Sequence, residues 1–484
     1  MKVEQIYTGC LAQGAYYITS NGEAAIIDPL REVQPYIDQM AKDGVKLKYI
    51  FETHFHADFV SGHVTLSEKT GAPIVYGPTA NTKFEAIIAE DNQEFKVGDV
   101  TIKVLHTPGH TMESTTYLLK DEQGKDHAIF SGDTLFLGDV GRPDLAQKAG
   151  SITEEDLAGF LFDSLRNKIM PLADEVTVYP AHGAGSACGK NMMKETVDTL
   201  GNQKKVNYAL RADMTKAEFI KEVTTGLTPP PQYFGQNVRL NKEGYASIDT
   251  VLKRGVVALN PIEFEAIANT EDALILDVRH KSAFVKKHIP GSVFIGLDGT
   301  FAPWVGALIL DIQQNILLVA PEGKEEEAVT RLARVGYDNT LGYLKGGIKA
   351  WENAGKETDS VGSTSPAKFA EALKKGTNRV VLDVRKPTEF LAHHVDNATN
   401  IPLDYLNKNM DKLNRDTPYF LYCGSGFRSV IAASILKARG FHDLMDVQEG
   451  FKGIESNGNI PLSNYQCPTT ISQEVIDSAL AEVA

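Results

Sequence analysis

The run Leu276-Asp277-Val278-Arg279 returns as Leu382-Asp383-Val384-Arg385, 106 residues later. His288-Ile289-Pro290-Gly291 returns at the same offset as His394-Val395-Asp396-Asn397, and Leu344-Lys345-Gly346-Gly347-Ile348-Lys349 matches Val447-Gln448-Glu449-Gly450-Phe451-Lys452 at an offset of 103. Two copies at this period describe a duplicated domain and not a solenoid. Each copy alternates short apolar runs, such as residues 317–320 and 420–423, with helical patterns, which predicts a doubly wound α/β sheet. The duplication fills only the second half of a chain of 484 residues, too long for one core, so a separate domain must precede it.

The breaker cluster Thr228-Pro229-Pro230-Pro231-Gln232 marks the junction as an extended linker, and the charged stretch Asn241-Lys242-Glu243-Gly244 prolongs it. Val361-Gly362-Ser363-Thr364-Ser365-Pro366 separates the two copies. The expected domains are residues 1–228, a linker over 229–250, a first copy over 251–358 and a second over 359–484. A formal net charge of −14 argues against nucleic acid or an anionic membrane as partner. No apolar run is long enough to span a bilayer, and the N-terminus lacks the layout of a signal peptide. Four cysteines (Cys10, Cys188, Cys423 and Cys467) make no disulfide framework. A reducing, cytoplasmic compartment is expected, where free thiols can do chemistry.

Seven of the twelve histidines precede residue 183. His54-Phe55-His56-Ala57-Asp58-Phe59 places three potential metal ligands within five residues, after the apolar run Tyr49-Ile50-Phe51. Alternation at i, i+2 and i+4 beyond a strand would turn all three side chains to one side. Three later motifs also end apolar runs with ligand-type residues. They are His106-Thr107-Pro108-Gly109-His110, Ser131-Gly132-Asp133 and Val178-Tyr179-Pro180-Ala181-His182. The four motifs in this order resemble the metallo-β-lactamase superfamily over roughly the first 200 residues, and the resemblance implies an αββα sandwich.

That family's first motif reads His-x-His-x-Asp-His, and here Phe59 stands where the last histidine belongs. A two-zinc member would place its second metal on Asp58, the missing histidine and His182. Phe59 removes a nitrogen ligand and makes a charged ion there costlier, so one metal per chain is favoured. Two histidines and a carboxylate with open positions suit non-haem Fe(II). The motifs also resemble the persulfide dioxygenase branch of the superfamily. That resemblance implies iron held by His54, His110 and Asp133, with His56, Asp58, His182 and Tyr179 around it orienting ligands or holding water. His56 could equally ligate a metal in a zinc enzyme, and spacing does not separate the two.

Two further segments bear on substrate. Arg142, in Gly138-Asp139-Val140-Gly141-Arg142-Pro143-Asp144, could pair with the carboxylate or phosphate of a thiol carrier, or with Asp144 to shape its own loop. Cys188, in the glycine-rich stretch after His182, resembles a loop cysteine of persulfide dioxygenase–rhodanese fusions and could hold or gate sulfur; a buried, inert thiol is the alternative.

The second copy carries Tyr422-Cys423-Gly424-Ser425-Gly426-Phe427-Arg428-Ser429 between a buried strand and a helix over 430–439. A cysteine at a helix N-terminus has backbone N–H groups aimed at its sulfur, and the helix dipole and Arg428 favour the thiolate. The loop resembles that of rhodanese sulfurtransferases, where Gly424, Ser425, Gly426 and Phe427 would cradle a persulfide sulfur. The first copy has Ala320 and Glu325 at the positions of Cys423 and Arg428, so it is expected to be inactive.

The whole chain resembles persulfide dioxygenase–rhodanese fusions. The resemblance implies oxidation of a low-molecular-weight thiol persulfide, of glutathione, coenzyme A or bacillithiol type, by O₂ to sulfite. Cys423 would then pass sulfane sulfur to that sulfite. Two alternatives stand: a binuclear zinc thioester hydrolase of glyoxalase II type with an accessory rhodanese, and a non-catalytic persulfide carrier or sensor. A homo-oligomer is possible.

Overall fold

The structure is a computed structural model, and it describes residues 1–145, 151–227, 230–467 and 470–483. Thr228 and Pro229, at the expected junction of the first domain and the linker, lie outside the described residues. The chain divides into two compact units, Met1–Val251 with Thr330–Asp338, and Leu252–Val329 with Asn339–Ala484.

The first unit is built on two six-stranded sheets. One runs in the order Lys2–Thr8, Gln13–Ser20, Glu23–Ile27, Lys46–Phe51, Ile74–Tyr76 and Ile87–Ile88. The other runs Asp198–Thr199, Thr177–Pro180, Asp126–Gly132, Thr115–Lys120, Val100–His106 and Glu94–Val97. Alternation along the strands divides their apolar residues between two faces. Tyr16, Ile18, Ile27 and Phe51 of one sheet meet Ile102, Val104, Tyr117 and Phe130 of the other in a shared core. The opposite faces take helices. Tyr17, Ile26 and Ile50 pack with Tyr36 and Met40 of the helix Gln34–Asp43, while Leu118, Ile129 and Val178 pack with Leu161 of Glu154–Ser164 and Phe219 of Lys216–Thr224. This is the αββα sandwich expected from the motif order.

Part of the stretch expected as linker is a helix, Phe234–Glu243. Its Asn237 and Asn241 are buried, and Asn241 reaches the loop that bears His56. The breaker prolines at 229–231 mask the amphipathic pattern that follows them.

The second unit holds two five-stranded parallel sheets of identical order. The first is Ala258–Leu259, Thr340–Leu344, Ile316–Val319, Leu274–Asp277 and Val293–Phe294. The second is Gly362–Thr364, Leu444–Val447, Tyr419–Tyr422, Val380–Asp383 and Thr399–Asn400. Both central strands, Ile316–Val319 and Tyr419–Tyr422, are buried throughout, as parallel strands covered on both faces must be. The duplication is therefore structural as well as sequential. Ala320 follows one central strand as Cys423 follows the other, and Glu325 and Arg428 each open the helix beyond.

Candidate metal centre and thiolate loop

The strand Lys46–Phe51 ends at Phe51, and residues 52–60 continue as a loop. The strand alternation expected for His54, His56 and Asp58 therefore does not hold. Their ligand atoms instead divide between two adjacent groups, His54 with His110 and Asp133, and His56 with Asp58 and His182. In each group the ligand atoms lie within 4.8 Å of one another, and all six residues are buried. Asn241 sets the loop's path. Its Nδ2 donates to the carbonyls of His56 and Phe59, both at 2.8 Å, and its Oδ1 accepts from Ser61 N at 2.9 Å.

His54 Nε2 and His110 Nε2 stand 3.8 and 3.4 Å from Asp133 Oδ2. His110 Nδ1 lies 2.8 Å from the Arg142 carbonyl, which can only accept, so Nδ1 carries the proton and Nε2 offers its lone pair. His54 is oriented by a relay. Thr53 Oγ1 donates to Asp28 Oδ2 at 2.8 Å and so accepts from His54 Nδ1 at 3.0 Å, which again frees Nε2. Burial, with the neighbouring imidazoles of His56, His110 and His182, holds His54 well below the ordinary histidine range, in the neutral form that ligates. Among the described residues neither oxygen of Asp133 accepts an aligned hydrogen bond, although the residue is 1% exposed and the Cys188 thiol lies close by. A buried carboxylate of this kind is costly unless a cation completes it. The donor set fits a metal ion.

His56 is turned toward a second pair of carboxylates. Its Nε2 lies 3.1 Å from Asp28 Oδ1 and 3.6 Å from Glu52 Oε2, as charge contacts without hydrogen-bond alignment. Burial works against its charged form, but Asp28, Glu52 and Asp58 outweigh it and raise its pKa to about 9. Burial, reinforced by Asp28, pushes Glu52 well above the usual carboxylate range. Asp28 and Glu52 were not singled out from sequence. The signal was there, since Asp28 ends an apolar strand as the other ligand motifs do.

Cys188 is buried, and its thiol forms a further group with Asp133 and His182, so the glycine-rich loop does bring it to the metal cluster. Burial first, then Asp58 and Asp133, push its thiol well above the usual range. Arg142 grips Asp144 through Nε at 2.7 Å and Nη2 at 2.6 Å, and Ala187 O through Nη1 at 3.3 Å. Its guanidinium thus shapes its own loop. Tyr179 is directed into the inter-sheet core, stacked on Phe130 with ring centroids 5.3 Å apart.

In the second unit Cys423 is buried directly after its strand. Gly426 N donates to its sulfur at 3.2 Å, and Ser429 Oγ lies at 3.6 Å. Arg428 forks onto Glu389, at 2.7 and 2.8 Å, and so reaches the loop as half of a bidentate ion pair. Ser429 Oγ donates to Asp446 Oδ1 at 2.6 Å, and burial raises Asp446 to about 6. The loop backbone is held from outside by Phe451 N and Lys452 N, which donate to the carbonyls of Cys423 and Gly424. Gly450 permits this approach: it adopts φ +57°, and a Cβ there would meet Cys423 O at 2.2 Å. Ser425 is exposed, and Gly424 and Phe427 are half-buried. Glu389 and Asp446 lack a motif that would have marked them in the sequence, and Ser429 stands at the end of the quoted cysteine motif without a role assigned to it.

Comparison with known proteins assigns a family to each part of the chain. Residues 8–182 match the metallo-beta-lactamase superfamily, and residues 260–354 and 365–457 each match the rhodanese-like domain. A hydroxyacylglutathione hydrolase of Rhodopseudomonas palustris (strain BisB5) is 30% identical over 234 residues, 42% of this chain and 86% of the relative. The mitochondrial persulfide dioxygenase ETHE1 of Homo sapiens is 29% identical over 212 residues, 43% of this chain and 74% of the relative. The crystal structure of a metallo-beta-lactamase from Staphylococcus aureus subsp. aureus COL superposes with a TM-score of 0.64 at 32% identity, covering 71% of this chain and 99% of that one. A metal-ligand cluster at the strand ends of an αββα sandwich, followed by a duplicated parallel α/β unit with one cysteine loop, thus places the chain in the metallo-β-lactamase superfamily, as a member fused to two rhodanese-like domains.

Proposed function

We propose that the chain is a non-haem Fe(II) persulfide dioxygenase joined to a sulfurtransferase. The observation that carries this reading is Phe59. It fills the place of a second-metal ligand with a wholly buried ring, beside a compact set of two histidines and one carboxylate. His54, His110 and Asp133 would hold Fe(II), which would supply the electron transfer between a persulfide sulfur and O₂.

The chain's own residues prepare that site. Arg142 O and Thr53 Oγ1 fix the two imidazoles with Nε2 inward. The ring of Phe59 and the enclosed position of the cluster exclude bulk water. His182 lies 3.5 Å from Asp58 and 3.6 Å from Asp133, where it can hold or pass a proton. The overall step is RSSH + O₂ + H₂O → RSH + SO₃²⁻ + 2 H⁺, in which the outer sulfur loses four electrons and O₂ gains them.

At the second site the Cys423 thiolate attacks the outer sulfur of another RSSH and releases the thiol. Sulfite then attacks the outer sulfur of the cysteine persulfide, the S–S bond breaks, and thiosulfate leaves with the Cys423 thiolate restored. The Gly426 amide stabilises the sulfur anion in both states. Having both steps in one chain raises the local sulfite concentration.

The test is O₂ uptake by anaerobically iron-loaded protein with glutathione, coenzyme A and bacillithiol persulfides, together with product analysis. Uptake with sulfite and thiosulfate as products supports the reading, and no uptake with any of them overturns it. Cys423→Ser should still take up O₂ but release sulfite alone. The hydroxyacylglutathione hydrolase relative, at comparable identity, favours a second reading as a zinc thioester hydrolase. Two zinc ions per purified chain with thioester cleavage would establish that one instead.

A further inference from the structure

The peptide between Ser425 and Gly426 is held at both ends. Its N–H donates to Cys423 Sγ at 3.2 Å, and its C=O accepts from Lys281 Nζ at 3.1 Å. A trans peptide is planar, with C=O and N–H pointing in opposite directions. An ammonium fixed at the oxygen therefore aims the N–H at the sulfur. It also draws electron density toward the oxygen and strengthens the donor, as chained hydrogen bonds do. The same Nζ takes the Gly426 carbonyl, also at 3.1 Å, so two successive carbonyls of the loop face one cation.

Lys281 belongs to the copy that lacks a cysteine. It opens the helix Lys281–Lys286, whose N-cap is His280. Two more contacts from that copy fall on the same loop and helix. Phe294 N donates to Ser434 Oγ at 2.9 Å, and the Phe294 ring meets Phe427 edge-on with centroids 5.8 Å apart. Gly426 adopts φ +77°, and a Cβ there would come within 3.4 Å of Lys281 Nζ.

We propose that Lys281 is a positioning residue for Cys423, acting across the duplicated unit through the Ser425–Gly426 peptide to favour the thiolate. On this account the copy without a nucleophile supplies a second cation to the loop, beside Arg428 of the nucleophile's own copy. The proposal rests on the reading of Cys423 as the sulfur-carrying thiolate. Its test does not require sulfur transfer, so the two can fail separately.

In the full-length protein, the pH profile of Cys423 alkylation by iodoacetamide is followed by mass analysis of the Cys423 peptide. Lys281→Met should move the midpoint up by about one pH unit and slow alkylation at neutral pH about three- to tenfold. Lys281→Arg, which keeps a cation at the carbonyls, should restore most of the shift. Lys281 is half-buried at a helix start, so Lys281→Gln serves as a second charge-removing variant if the first folds poorly. A midpoint that stays in place in the charge-removing variants overturns the proposal, because a merely structural lysine would not move it. Failure of the wild-type protein to transfer sulfur from thiosulfate to cyanide would instead overturn the sulfurtransferase reading.

Discussion

The ring of Phe59 lies against the imidazole of His56, with centroids 4.4 Å apart and planes 36° apart. Phe59 thus does more than withhold a ligand, because it packs against the histidine that Asp28 and Glu52 draw aside. Phe59→His should restore a nitrogen beside Asp58 and His182 and raise metal content from about one to about two per chain in zinc-supplemented preparations. The lost apolar burial should lower stability by about 1–3 kcal/mol without metal. Metal analysis with thermal unfolding checks both. A stoichiometry unchanged by the substitution would mean that Phe59 does not set the metal count.

Asp133 is a buried carboxylate with no aligned hydrogen bond to either oxygen among the described residues. In metal-free protein it costs stability, and with metal it repays that cost. Asp133→Asn should leave the metal-free melting temperature equal or higher by a few degrees. It should also remove the rise on adding Fe(II) and abolish O₂ uptake. Melting curves with and without Fe(II) under anaerobic conditions decide this, and a retained metal-induced rise would exclude Asp133 as a ligand.

Asn241 ties three backbone groups of the loop over 56–61 from a helix about 180 residues further along. Asn241→Leu strands two buried carbonyls and one amide, and should cost roughly 2–4 kcal/mol. Because His56 rides on that loop and His54 lies two residues before it, iron occupancy should fall alongside stability. Full occupancy with normal O₂ uptake would show that the clamp is dispensable to the site.

Burial raises Asp446 to about 6 in the folded protein, while an unfolded aspartate titrates near its ordinary value of 3.8. Between these values the folded state binds more protons, so this residue's contribution to stability falls as pH rises through that window. The loss is on the order of 2–3 kcal/mol, complete above the folded pKa. Asp446→Asn can still accept from Ser429 and removes the titration. The variant's melting temperature should therefore match the wild type near pH 4 and exceed it near pH 7. A difference that does not change with pH would contradict the assignment.

Much of the fold was legible because it is written at short range. Residues 128–131 form part of the strand Asp126–Gly132, which delivers Asp133, and the apolar run before His182 forms Thr177–Pro180. The repeat marked by Asp277 and Asp383 became two sheets of the same order. Helix and strand periodicity fix these elements locally, and the ligand types at their ends follow.

What failed was the extrapolation of local geometry past the end of an element. His54, His56 and Asp58 share a spacing but not a direction, because the chain leaves the strand at Phe51 and its path is then set by Asn241. Arg428 is expected to favour the Cys423 thiolate and does interact with it electrostatically, but the sequence does not show that a carboxylate 39 residues earlier, Glu389, also grips its guanidinium.

The sequence by itself determined which side chains are available for chemistry and that they stand at strand ends. It also determined that the second half is a duplicated α/β unit with one cysteine loop. Only the tertiary structure decided how those groups are shared out: His56 to Asp28 and Glu52, Cys188 to Asp133 and His182, and Lys281 to the peptide beside Cys423. The physical reason is distance along the chain. Periodicity reports the few residues on either side of a position, whereas Asn241 and His56 are 185 residues apart and Lys281 and Ser425 are 144 apart, and folding alone brings them together.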